Sequence, residues 1–482
     1  RAGITERTSE CSERPALTGM GLFTRCCWPV FPRSCEHNAV LAIKTRLMFK
    51  NGTEDATRSR KVKKLLQWLA QDPQQLAKHK YQPTPYKFSP PSPKWAHCYV
   101  LLPMVPRMVE AWNPTPFKVW LESHPWPQGK KKELMLAKDV ILTPNDCVID
   151  NFVKKECYPK FNDGLLATKP RPISSRSPPF QSRLGPVCYR LGERFSEIWS
   201  GTSHQKGIRV IYTSGMTGQQ LGHEVQLAID RAGENCVKAE TDASTFDGSM
   251  SLELLSLPMF VYQMLGVDET AVELLFKEME TRGRTRGGSR YWYVGRRNSG
   301  DGDTSCGNSA TNALTHKFIL QQSGMFIEND CTLFVLGDDN LMILRTNPTY
   351  DEQCFRTLLE RGLREFGMIP KMEIREQFEF CSGLFYPVML GGERTLVWGP
   401  KIGRILYKTG FVKKENSLKN MEREIVGTFK GLQLTIGHIP ILNKYVAKVF
   451  TEYGQEGKTT HNPYNLLVTT PCEMTNETVE FF

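Results

Sequence analysis

Residues 332–344, TLFVLGDDNLMIL, set two adjacent carboxylates, Asp338 and Asp339, between two apolar runs. Each run has strand length, and Gly337 with Asn340 completes the polar break expected of a tight hairpin. Two carboxylates side by side at such a tip repel each other and are costly to desolvate. A divalent cation would remove both problems, although a solvated Gly-Asp turn fits this stretch alone equally well. A second acidic pair, Asp242 and Asp247, lies in VKAETDASTFDGSMS (237–251). A strand ending at Asp242 would present that carboxylate at its tip, with Asp247 about one turn further on. The same spacing also occurs on plain protein surfaces.

Cations that suit a triphosphate lie upstream. FVKKECYPK (152–160) and KPRPISSRSPPFQSRLG (169–185) contain Lys154, Lys155, Lys169, Arg171 and Arg176. Prolines at 170, 172, 178 and 179 speak against helix, so these groups are expected on strands or loops, where alternation places several on one face. Fixed cations, with Arg for bidentate oxygen contacts, are what a triphosphate needs; a solvated basic loop is the alternative. Residues 281–297 interleave Arg282, Arg284, Arg286, Arg290, Arg296 and Arg297 with Tyr291, Trp292 and Tyr293. That pattern suits phosphates and bases, and a solvated hairpin as well. NSGDGDTSCGNSATNALTHKFILQQ (298–322) follows, its Gly-rich start able to flex or to approach a ligand closely. Thr304, Asn308 and Asn312 then recur at helical spacing, opposite Cys306, Ala310, Ala313 and Leu314. Such a stripe reads a sugar hydroxyl if it faces a ligand, and is unremarkable if it faces water.

The elements that must position these groups belong to a large chain. Its 482 residues suggest two to four structural units. The net charge of +11, from 62 basic and 51 acidic residues, points toward a polyanionic partner. The 14 cysteines lack paired spacing, which favours reduced thiols over a disulfide framework; Cys11, Cys26, Cys27 and Cys35 near His37 contain no C-x-x-C pair for zinc. No apolar run is long enough to span a membrane and no signal-peptide pattern is visible. The chain starts at Arg1, as expected of a fragment, a processed product or the downstream part of a longer polypeptide. Residues 61–80 read as a short amphipathic helix broken at Pro73, and the Pro- and aromatic-rich residues 81–128 as irregular chain linking an N-terminal extension to the body. Residues 252–280 have the apolar density of packed helices, and 416–450 show helical periodicity with a Gly/Pro break.

In order along the chain, Asp242 and Asp247, then SGDxxTxxGN (Ser299, Gly300, Thr304, Asn308), then Gly337-Asp338-Asp339 resemble motifs A, B and C of viral RNA-dependent RNA polymerases. The intervals between them, about 50 and 30 residues, resemble that family too. FGMIPK ending at Lys371 resembles motif D, FEFCSGLFY (378–386) motif E, and FVKKE with KPRPISSR motif F. With Lys206-Gly207 ahead of motif A, the set looks like the tombusvirus-like group of positive-strand RNA viruses, over roughly residues 150–390.

The resemblance implies an α+β right-hand fold: an N-terminal extension (1–100), fingers (101–236 with part of 260–297), a palm with an antiparallel sheet (237–387) and a mostly helical thumb (388–482). It implies template-directed nucleotidyl transfer from NTPs with two Mg2+ ions, or Mn2+ in their place, on Asp242 and Asp338 with Asp339 supporting. Lys154, Lys155, Arg171 and Arg176 would meet the triphosphate, Arg171 and Arg176 matching the family pattern most closely. Asp247, Ser299, Gly300, Thr304 and Asn308 would surround the nucleotide's ribose. Lys371 would protonate pyrophosphate, and Phe380, Cys381 and Ser382 would grip the primer end. Implied partners are template and nascent RNA, other viral replication proteins and host factors, in a membrane-associated complex of the host cytoplasm. A reverse transcriptase and a catalytically idle RNA-binding replication subunit are the rival readings; Asn308 and the GDD hairpin favour an RNA product over the first, and the full set of aspartates argues against the second.

Overall fold

The run LFVL (333–336) is apolar throughout because its strand is covered on both faces. The computed structural model describes residues 2–5, 17–21, 27–29, 36–48, 54–86, 88, 92–154, 170–390, 392–409, 411–412 and 418–454. Strand Thr332–Leu336 pairs antiparallel with Asp339–Arg345, which pairs in turn with Cys236–Ala243, and that with Pro370–Ile374. Leu333, Val335, Met342 and Leu344 enter the main core, shared with helices Leu252–Met264 and Thr304–Ser323. Phe334, Leu341 and Ile343 face a second core built on helix Gly218–Ala232. Burial on both sides turns a period-two pattern into a continuous run.

The fifth strand of this sheet, Arg209–Tyr212, lies parallel to Thr332–Leu336. The sequence places it outside the palm and expects an antiparallel sheet. A parallel neighbour needs a long crossover, which the helices and strands between residues 212 and 332 supply.

A second five-stranded sheet carries the basic segments. Its order is Ala2–Thr5, Arg290–Val294, Glu280–Thr285, Ile149–Val153, Pro172–Ser175. One face is covered by residues 36–48: Ala39 packs on Val153, and Ile43 and Leu47 pack with Tyr291 and Tyr293. At the other end of the chain, helices Leu418–Ile436 and Pro440–Tyr453 form a small core of their own with Tyr386 of the hairpin Gly383–Leu390/Glu393–Pro400.

The described parts of residues 1–100 do not form a detached extension. Helix Asp55–Gln71 drives Val62, Leu65, Leu66 and Leu69 into the main core, and Ala2–Thr5 is an edge strand of the second sheet. The expected linker is anchored as well. Tyr81–Pro85 pairs with Met104–Met108, Trp199 donates from Nε1 to the Leu76 carbonyl at 2.9 Å, and Phe88 and Tyr99 pack their rings on Phe276. Proline content suggests loose chain, but the aromatic side chains between the prolines supply enough apolar surface to dock it. Pro178 and Pro179, expected to exclude helix, instead begin helix Pro178–Ile198, with Ser177 as the N-cap; a proline there gives up no helical hydrogen bond.

Candidate active site

Strand ends bring the acids together. Asn340 pairs with Thr241 across the sheet, so Asp339 and Asp242 each stand one residue beyond that pair. The two-residue link Gly337-Asp338 joins the strands, and Gly337 takes φ of +65°, where a side chain would be strained. Asp242, Asp338 and Asp339 are all solvent-exposed, and none makes an ion pair among the described residues. Even so, the protein walls around them, and then Asp242's charge, push the Asp338 carboxyl above its ordinary range, with Arg171 opposing. Asp339 is pushed up to about 6 by the same crowding and by Asp338, with the Cys381 thiol and Arg404 opposing.

Beneath the turn lies a polar clamp. Helix Thr304–Ser323 is buried on all sides from Cys306 to Leu320, so its expected polar stripe faces protein and not water. Asn312 Nδ2 reaches the carbonyls of Gly337, Asp338 and Asp339 at 3.2, 2.9 and 3.3 Å. Ser309 Oγ accepts from the Gly337 amide at 2.7 Å. Asn312 Oδ1 accepts from Asn340 Nδ2 at 3.0 Å, and Asn340 Oδ1 accepts from the Thr241 amide. His316 Nδ1 donates to the Asn312 carbonyl, which leaves Nε2 to accept from Thr241 Oγ at 2.9 Å. Burial lowers the His316 pKa to about 4 and keeps the ring neutral for that role. Asn312 therefore fixes the acidic turn against strand Cys236–Ala243, which carries Asp242. The sequence places it in the stripe without revealing this task; its position one helical turn after Asn308 was the available signal.

The two residues expected to read a ribose do meet. Asn308 Nδ2 donates to Asp247 Oδ1 at 2.7 Å, while Asn308 Oδ1 accepts from Arg297 Nε at 3.2 Å. The guanidinium thus sets which way the amide points. Asp247 is pushed up to about 6 by burial, against the Asn308 hydrogen bond, and Asp338's charge adds to the rise. Arg297, which the sequence leaves among the arginine-rich residues, is fully enclosed. It pairs with Asp303 at 2.6 Å, and Asp303 accepts from Tyr262 at 2.9 Å.

Other expected site residues are tied into the loop itself. Ser174 donates its amide to the Ser299 carbonyl at 2.9 Å. Gly300, at φ +125°, passes so close that a Cβ would stand 2.1 Å from the Ser174 carbonyl oxygen. Its close approach is to the chain's own basic strand. Thr304 Oγ sits 2.8 Å from the carbonyls of Asn298 and Asp301 and closes the turn between them.

Arg176 departs most from expectation. It is 3% exposed. It donates from Nε and Nη2 to Asp301 at 2.8 and 3.1 Å, and to the carbonyls of Cys147 and Glu278. A guanidinium with its donors spent in the interior is not displayed to a triphosphate. Arg171 is exposed, and its charge is felt at Asp338. Lys154 is also exposed, with its amide bonded to the Arg171 carbonyl. Lys155 and Lys169 lie outside the described residues, as do Cys11, Cys26 and Cys35.

Lys371 is exposed and is the cross-strand partner of Asp242. Phe380 is buried in the second core, where it cannot touch a nucleic acid. Cys381 and Ser382 form a two-residue turn with φ of +51° and +61°, a conformation that costs non-glycine residues strain, and Cys381 lies against Asp339.

A sequence model of the family described as viral RNA dependent RNA polymerase matches residues 208–477, more than half of the chain. The chain belongs to that family. An RNA-directed RNA polymerase of Panicum mosaic virus (strain United States/Kansas 109S) is 28% identical over 270 residues, covering 53% of this chain. The chain spans only 25% of the length of that relative. The family match takes in all the carboxylates, the clamp and the Asp247–Asn308 pair, and begins after the basic segment at 154–176.

The donor set suits a hard divalent cation. The charge of Asp242 raises the proton affinity of Asp338, and both raise that of Asp339; such an ion relieves that repulsion. Among the described residues, no three acidic, His or Cys side chains are yet drawn tightly enough together to grip one. Asp242 and Asp338 would hold it, with Asp339 beside them.

Proposed function

We propose that the chain is an RNA-dependent RNA polymerase that extends RNA from NTPs on an RNA template. The observation that carries this reading is the Asp247–Asn308 hydrogen bond of 2.7 Å beside the acidic turn. A 2′-hydroxyl both donates and accepts. The second Asp247 oxygen and the second Asn308 N–H are the partners it needs, in an orientation that Arg297 sets. Exposed Arg171, near Asp338, would take the triphosphate, and Arg176 would hold the loop that carries the ribose-reading helix.

In this reading Asp242 and Asp338 carry two divalent ions, Mg2+ or Mn2+. Ions of that kind lower the pKa of an attacking hydroxyl and steady the leaving pyrophosphate. Lys371, across from Asp242, would supply a proton to the leaving group. Cys381 and Ser382 would sit under the growing strand's end. We assign the Thr332–Leu336 sheet to the palm, the second five-stranded sheet to the fingers and helices 418–453 to the thumb. Partners would be template and product RNA, further viral replication proteins and host factors, in a membrane-associated complex of the host cytoplasm. No helix of the described residues is long and apolar enough to cross a membrane.

The test is extension of one RNA template with matched NTP and dNTP, with Mg2+ or Mn2+ and with or without primer. Asn308→Asp removes the donor and sets a second negative charge beside Asp247. NTP use should fall more than dNTP use, the ratio of kcat/KM shifting roughly 5–150-fold, as loss of ~1–3 kcal/mol of hydrogen bonding implies. An unchanged ratio in a folded variant would return Asn308 to a purely structural role. No incorporation by the unaltered chain under any of these conditions would sink the polymerase reading.

A further inference from the structure

The second sheet buries one face under residues 36–48, and among the described residues no element is packed over the strand positions of its other face that carry Arg282, Arg284, Arg290 and Trp292. Registered partners on neighbouring strands share a face, so the open one can be traced. Arg282 pairs with Trp292 and Arg284 with Arg290; Arg284 also pairs with Asp150 of the next strand. Asp150 shares its face with Phe152, and Phe152 pairs with Ile173. One residue beyond the last registered pair, Lys154 and Arg171 are joined by a backbone hydrogen bond of 2.8 Å. The traced face therefore runs from Trp292 and Arg290, through Arg282 and Arg284, to Lys154 and Arg171.

Its charge is lopsided. Arg282, Arg284, Arg290, Lys154 and Arg171 are all exposed, and Arg286 extends from the adjoining turn. The acids on this face are Asp150, which pairs with Arg284 at 2.5 Å, and the half-buried Glu280. Among the described residues, Arg282, Arg286 and Arg290 make no ion pair. Trp292 is 44% exposed, although its indole edge lies over Gly3. A large aromatic left open amid arginines serves no core. Side chains two apart on a strand are ~7 Å apart, a spacing that lets successive cations follow an extended polyanion. The far end of the face is Arg171, whose charge is felt at Asp338.

We propose that this face is a docking track for single-stranded RNA. Phosphates would rest on Arg282, Arg284 and Arg290, with a base stacked on Trp292, and the strand would lead along the sheet toward Arg171. The destination at the carboxylates rests on the polymerase reading; the binding surface itself does not. Cations set around an aromatic platform are what sequence-tolerant single-strand binding requires, because every base has a face to stack. A protein partner's acidic segment would use the cations but not the open indole.

The experiment measures binding of a labelled single-stranded RNA to the full chain by fluorescence anisotropy across a salt series, separately from incorporation on a short primed template. Arg282→Gln with Arg290→Gln should weaken binding about tenfold or more and lower the salt slope by about 1.4, or roughly 0.7 for each phosphate no longer neutralised. Trp292→Ala should weaken binding roughly 5–100-fold with the slope kept, and Trp292→Phe should restore most of it. Arg282→Lys with Arg290→Lys should keep the slope and so exclude misfolding. An unchanged dissociation constant and slope in folded variants would overturn the track, whether or not the chain incorporates nucleotides. So would a rise in NTP KM with RNA binding intact, or displacement of RNA by polyglutamate at equal charge with no effect of Trp292→Ala. Loss of incorporation alone, with the track variants weakened as expected, would count against the polymerase reading and not against the track.

Discussion

Two clusters of three acids stand close together in this molecule and are treated in opposite ways. Glu278, Asp301 and Asp303 lie in the interior beside Arg176 and Arg297, which bind Asp301 at 2.8 Å and Asp303 at 2.6 Å. Three acids against two guanidinium groups leave one charge over. Glu278 takes the remaining strain: its carboxyl is driven well above its usual range, first by burial and then by Asp301 and Asp303, which favours its neutral form. Asp242, Asp338 and Asp339 have no such guanidinium partner among the described residues and stay open to solvent. Acids that the fold neutralises hold it together; those that it crowds and leaves exposed are the ones proposed above to meet a divalent ion.

The largest expected effect breaks the neutralised cluster. Asp303→Asn leaves Arg297 charged and enclosed, and should cost ~3–5 kcal/mol of stability, read by chemical denaturation. A loss under 1 kcal/mol would mean that the pair is not the internal balance described here. Asp338→Asn should do the reverse. Turnover should fall about 100-fold or more, corresponding to ~3 kcal/mol of transition-state stabilisation, while the melting temperature holds or rises because a repelling charge is gone. Retained turnover would place the ion elsewhere.

Asn312→Ala sharpens the contrast, since it touches neither cluster's charges. Removing the clamp from three carbonyls should cost ~1–3 kcal/mol and lower kcat more than it raises the KM for NTP. Asn312→Gln, with the amide misplaced, should not restore kcat. Equal changes in kcat and KM would argue that the clamp only supports the fold.

The smallest effect is one of pH, at Asp247. Its pKa is raised to about 6 from an ordinary 3.8, so the folded state binds the proton more tightly than the unfolded chain. That contribution to stability is complete below about pH 4 and is lost as pH rises through about 6. Asp247→Asn should flatten this segment of the stability curve. In the proposed reading the ionised form accepts from the ribose, so NTP kcat/KM should climb through the same window and lose that climb in the variant. A stability curve identical to wild type would remove the titration from Asp247.

Much of the site was legible because catalytic chemistry constrains spacing. Asp242, Asp247, Asn308 and the GDD hairpin each stand at a strand end, a turn or a helix face that local pattern reveals, and Asp247 and Asn308, two of the residues expected around one ribose, are hydrogen-bonded to each other. Burial was not legible. Arg171 and Arg176 look alike on paper; one is exposed and the other is consumed by Asp301, 125 residues away. Phe380 likewise reads as a gripping surface and is core. The helix Asp55–Gln71 is amphipathic as its pattern says, but nothing in its own residues tells that its apolar face meets Leu252–Met264. Long-range pairing is settled by shape and charge complementarity, which a linear pattern does not carry.

The pairing of Ala2–Thr5 with residues 290–293 has a consequence for how the chain is made. About 290 residues separate the partners, so at roughly 5–20 residues per second a ribosome delivers the second some 15–60 s after the first. Through that interval the early strand has no ladder, and the apolar flank of Asp55–Gln71 has no Leu252–Met264 to rest on. Both are sticky surfaces on a nascent chain. Vectorial synthesis therefore leaves the amino-terminal segment waiting, and its assembly falls late, after the Arg290–Val294 strand has left the exit tunnel.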